Sequence, residues 1–71
     1  MGNPTIDEIK AMKKATELTV NWSEEGGAVI RTVRGGWALY EVPQYGGKPH
    51  FHGVYKEDKL QEMLDLATSW I

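Results

Sequence analysis

The chain contains no cysteine, which excludes a disulfide framework and any thiolate metal site as a source of stability. It has no apolar run long enough for a transmembrane helix. Its N-terminus also lacks the basic-then-apolar pattern of a signal peptide, so a cytosolic protein is expected. Basic residues are not in excess: eight Lys and Arg stand against ten acids, for a net charge of −2. That balance argues against the broad positive footprint of a nucleic-acid binder. Catalytic chemistry is equally thin. Ser23 and Ser69 have no His or acid placed beside them by spacing. The Gly-Gly pairs open no helix after a strand, so they do not form a phosphate cradle. A non-enzymatic protein without cofactors is expected, and residues 1–71 read as one small domain whose core alone must hold it.

What is present is a pair of glycine turns, Gly35-Gly36 and Gly46-Gly47, flanked by alternating apolar residues. Such loops favour tight hairpins. Centred on the first, Val33 faces Ala38, Arg31 faces Tyr40 and Val29 faces Val42. Centred on the second, Val42 faces Phe51, Tyr40 faces Gly53 and Ala38 faces Tyr55. Both place Val29, Val33, Ala38, Tyr40, Val42, Phe51 and Tyr55 on one face, with Arg31 its single charge. Strands are expected over about residues 18–22, 28–34, 37–42 and 50–55.

A capping box, Thr5 with Glu8, opens a first helix, with Ile6, Ile9 and Met12 at helical spacing and an end near Glu17. Asp58 is placed to cap a second, whose apolar stripe is Leu60, Met63, Leu64, Ala67, Trp70 and Ile71. The expected fold is α+β: a two-layer domain with an antiparallel three- to four-stranded sheet and both terminal helices on one face. Its apolar set nominates the Val29–Tyr40 face as the covered one.

In element order the chain resembles double-stranded-RNA-binding domains. Those domains grip phosphates with a lysine cluster at the start of the last helix. Here the positions read Lys56-Glu57-Asp58-Lys59, and two acids there repel a phosphate backbone, so RNA binding is not carried over.

The opposite face then carries Ile30, Thr32, Arg34, Trp37, Leu39, Glu41, His52 and Val54. Apolar surface with aromatic and arginine neighbours has the composition of a protein-binding hot spot. The candidate partner-binding residues are Ile30, Arg34, Trp37, Leu39, Glu41, His52 and Val54 on the sheet, with Glu57, Asp58, Glu62 and Asp65 on the acidic second helix. Glu24 and Glu25 offer further acids in a loop. The leading expectation is a protein-interaction module, in class terms an inhibitor of host machinery carried by phage or mobile elements, as anti-CRISPR proteins are. A homodimer through the sheet is an alternative. So is a nucleic-acid platform using Trp37, Arg31, Arg34, Lys48 and Lys56 in the central segment, where four basic residues meet only Glu41. His50 and His52 alternate on one strand with Glu41 opposite, but a charge pair explains them better than a metal site, and no metal is expected.

Overall fold

The computed structural model describes residues 3–23, 26–43 and 47–70. Glu24, Glu25, Gly46 and Ile71, which carry parts of the sequence reading, lie outside the described residues. Four strands, β1 (Glu17–Ser23), β2 (Gly26–Val33), β3 (Gly36–Val42) and β4 (His50–Tyr55), form an antiparallel sheet in the order β1-β2-β3-β4. A short helix α1 (Ile6–Lys10) precedes it. A 3₁₀ turn over Glu57–Lys59 and a longer helix α2 (Leu60–Thr68) follow. The α+β class and the four strands agree with the alternation and turn signals.

The capping box forms as read: the Glu8 amide donates to Thr5 Oγ1 at 3.2 Å, and the Thr5 amide donates to Glu8 Oε1 at 3.0 Å. The helix, however, stops at Lys10 rather than near Glu17. The backbone beyond it is taken by the sheet: the Thr32 amide donates to the Thr16 carbonyl, and Thr32 Oγ1 donates to the Lys13 carbonyl. Asp58 does not cap α2. It sits inside the 3₁₀ turn, and Lys59 occupies the cap position without a side-chain bond.

The main correction is which face the helices cover. Ile9 of α1 and Leu60, Met63 and Ala67 of α2 pack on Val20, Ala28, Ile30 and Leu39, all essentially sealed from solvent. Ile30 and Leu39, expected on an outer patch, are the centre of the core. The two faces differ in where their charges stand. Glu17 stands directly opposite Arg31 on the other face, so covering that face would desolvate two ionised groups. The Ile30 face has Val20, Ala28, Ile30 and Leu39 at its middle and keeps its own charged pair, Glu41 and His52, at the rim.

Registers shifted in two ways. The first hairpin closes with Val33 opposite Gly36 and Arg34-Gly35 as its loop, two residues from the expected pairing. A shift of two keeps every side chain on its face. The second hairpin has an irregularity between Leu39 and Tyr40, so Tyr40 pairs with Phe51 while Leu39, not Tyr40, faces Gly53. The extra residue on β4 exchanges the faces of Val54 and Tyr55 relative to expectation. Tyr55 packs against the core and Val54 stands on the opposite side.

Candidate interaction surface on the open face of the sheet

The uncovered face reads across the strands in rows. One row runs Glu17, Arg31, Ala38, Val54; the next runs Thr19, Val29, Tyr40, Phe51; beyond it Gly27 pairs with Val42. Trp22 joins this face through a break in β1. Counting from Leu18 and Val20, which point to the core side, an even-numbered Trp22 would point the same way. Instead the register slips between Val20 and Ser23, with Asn21 in the left-handed region at φ 51°. Asparagine tolerates that conformation better than most residues. Its side chain is fixed at both ends: Nδ2 donates to the Thr68 carbonyl at 2.9 Å, and Oδ1 accepts from Asn3 Nδ2 at 2.7 Å. Asn21 therefore ties the end of α2 to β1 and turns Trp22 outward.

Three of the four large apolar side chains most open to solvent among the described residues lie here: Phe51 at 60%, Trp22 at 55% and Val54 at 52%. Phe51 leans on Tyr40, ring centres 5.5 Å apart and planes tilted by 57°. Arg31 lies across the surface. Its Nε is 2.8 Å and its terminal nitrogen 2.6 Å from Glu17 Oε2, and the guanidinium is 5.9 Å from the Tyr40 ring centre. These two charges thus neutralise each other. Between the edges lies a hollow of about 350 Å³, floored by Val29, Tyr40 and Val42 and walled by Trp22, Pro49 and the Glu17–Arg31 pair.

The residues nominated from sequence are spread over the molecule. Ile30 and Leu39 are core. Trp37 is half-buried and its indole N–H donates to the Ile9 carbonyl at 3.0 Å, so it anchors α1 instead of facing a partner. Arg34 is exposed in the first hairpin loop. His52 and Glu41 do meet, with Nε2 and Oε1 3.3 Å apart. They sit at the rim of the helix layer, where the His52 ring lies 4.3 Å from that of Trp70. No three acidic, His or Cys side chains converge as a metal site among the described residues. Val54 is on the open face. Glu57 pairs with Lys10 at 3.7 Å, Glu62 with Lys59 at 3.5 Å, and Asp65 accepts from Gln61 at 2.8 Å. These acids, with exposed Asp58, belong to the helix layer, on the far side of the sheet from Trp22 and Phe51.

Sequence reasoning assigned Phe51, Tyr40, Val29 and Val42 to the core and placed Trp22 in a plain strand. Charge did not flag the difference, because the sequence places Arg31 on one set and Arg34, Glu41 and His52 on the other.

At one end of the sheet, Lys14, Thr32 and Val33 line two adjoining hollows, one extended by Lys56 and the acid Glu57 and the other by Arg34. Lys13 adjoins them through its carbonyl bond to Thr32. Lys10, Arg31 and Lys59 have carboxylate partners, whereas Lys13, Lys14, Arg34 and Lys56 form no ion pair among the described residues.

Fold and surface together define a small α+β domain with one sheet face packed and the other bare. Comparison with protein-family models, with curated proteins and with solved structures gives no match. Among the described residues no helix is long and apolar enough to cross a membrane.

Proposed function

We propose that the protein is a non-enzymatic protein-interaction module that works through the open face of its sheet. The observation that carries this reading is the concentration of solvent-open Trp22, Phe51 and Val54 around a neutralised Arg31–Glu17 pair. Contiguous apolar surface of this kind costs solubility unless a partner covers it. Trp and Tyr beside a hollow are also the side chains that most often carry binding energy. The expected partner presents an apolar surface of low net charge. Affinity capture from the source cells with tagged wild type and tagged Phe51→Asp tests the reading. Proteins retained by the wild type and lost by the variant support it. Identical captures from both would reject it.

A second reading is favoured by one observation, the four unpaired cations Lys13, Lys14, Arg34 and Lys56 at the end of the sheet. They could hold a phosphate backbone by charge alone. Four contacts to a single strand imply a log–log salt slope of about −3. Titration with DNA and RNA at low and moderate salt checks it: saturable binding lost in Lys14→Glu with Arg34→Glu supports this reading, and no binding at low salt discards it.

A further inference from the structure

We infer that the occupant of the open face is a second copy of this chain, the two sheets packing face to face with the helices outermost. This inference rests on the reading of the open face given above and names its partner.

Three features of the face point to a copy of itself. The first is shape. A two-fold interface brings the same patch from both sides, so each copy must supply both a projection and a place to receive one. Phe51 projects at the β4 side and does not line the hollow, which spans β1 to β3 with Trp22 of β1, Val29 of β2 and Tyr40 and Val42 of β3 around it. A two-fold axis running roughly along the strands carries β4 of one copy over β1 and β2 of the other. Each Phe51 then meets the Trp22 and Val29 side of the hollow opposite.

The second feature is charge. Among the described residues the face has one cation and one anion, already joined, so two copies meet there without net repulsion from these groups. A strongly charged heterologous partner would find nothing complementary. The third is area. Four strands about 4.8 Å apart and about seven residues long give roughly 400 Å² of flat face, before side-chain relief is added. Two such faces hide on the order of 1,000 Å², at the lower limit of a specific interface. Stacked sheets sit about 10 Å apart, a gap that side chains of the size of Phe, Trp and Val fill. The dimer should therefore be weak, with a dissociation constant of micromolar order or above, and nearly independent of salt because no ion pair has to form.

Sedimentation of the untagged full chain, from about 5 to about 500 µM at low and high salt, spans the range expected for so small an interface. The expected result is a monomer–dimer equilibrium whose midpoint shifts less than about threefold with salt. Phe51→Asp should be monomeric throughout with an unchanged circular dichroism spectrum. Leu66→Asp, at the fourth exposed apolar side chain but on α2, should dimerise like the wild type. If Phe51→Asp fails to fold, Trp22→Ser replaces it, with at least a tenfold weaker dimer expected. A wild type monomeric at every concentration overturns the inference while leaving the face available to another protein, which the capture experiment judges separately. A dimer that persists in Phe51→Asp and Trp22→Ser also overturns it, since its interface lies elsewhere.

Discussion

The two faces of the sheet are made from the same four strands and are both rich in apolar side chains, yet one is sealed and the other open. On the sealed face Val20, Ala28, Ile30 and Leu39 meet Ile9, Leu60, Met63 and Ala67. On the open face Val29, Tyr40 and Val42 floor a hollow while Phe51 and Trp22 stand in solvent. The sealed face contains only aliphatic side chains at its centre; the open one has an arginine and a glutamate opposite each other at its centre and margin. Both faces carry a charged pair and differ in where it stands: Glu41–His52 lies at the rim of the helix layer, whereas Arg31 stands on an inner strand, where covering it would cost desolvation.

The sharpest way to break this comparison is to delete matched side chains from each face. Leu39→Ala should cost about 2–5 kcal/mol in denaturant unfolding, because a cavity opens beneath α2. Phe51→Ala should cost less than about 1 kcal/mol, since its ring is largely hydrated already. Comparable losses for the two would mean that the open face is covered within the monomer.

Trp37 comes next in size. Its ring packs against the core and its N–H holds the Ile9 carbonyl, so Trp37→Ala should destabilise by about 2–4 kcal/mol. A melting temperature within a degree or two of wild type would return Trp37 to the surface. Alternation puts Trp37 on the Ile30 face, and the surface position followed from taking that face as the open one. Thr32 and Trp37 lie on the same side as Ile30 and Leu39, and nothing in the sequence announces that α1 ends early enough to present its Ile9 carbonyl to the indole.

A smaller effect is expected at Asn21. Asn21→Ala removes the bonds to Thr68 and Asn3 and leaves a left-handed backbone without its preferred residue, costing about 1–2 kcal/mol. The same variant should reduce capture or dimerisation, because Trp22 is aimed by this bulge; wild-type self-association with lowered stability would separate the two roles. The smallest effect belongs to the surface pair. Arg31→Gln should change stability by less than about 1 kcal/mol, as exposed ion pairs do. A large loss would show that the pair is buried by something in the folded state.

The elements were legible in the chain because strand alternation, glycine loops and the Thr5–Glu8 box are local signals. Four strands, the capping box and the stripe of α2 follow from them. The faces of β2 and β3 were also legible, because the first hairpin's slip was by two. The second slip was by one, through the irregularity at His52 and Gly53, where Gly53 has φ 156°. That exchanged Val54 with Tyr55. The Asn21 bulge was likewise invisible, since Thr19-Val20-Asn21-Trp22 alternates perfectly well as an unbroken strand. Which side the helices take is a tertiary choice between two apolar sets that both carry charge, Arg31 on one and Arg34, Glu41 and His52 on the other, so local signals did not decide it.

The absence of native cysteine permits the most direct test of the central assignment, that the Trp22–Phe51 side is bare and the Ile30–Leu39 side sealed. Single variants Phe51→Cys and Leu39→Cys, each shown to be folded, are labelled with a thiol reagent at protein concentrations low enough to keep the chain monomeric. Phe51→Cys should react at close to the rate of the unfolded protein. Leu39→Cys should react at least a hundredfold more slowly, only through unfolding or local opening. Fast labelling at position 39 with protection at position 51 would place the helices on the other face and contradict the account.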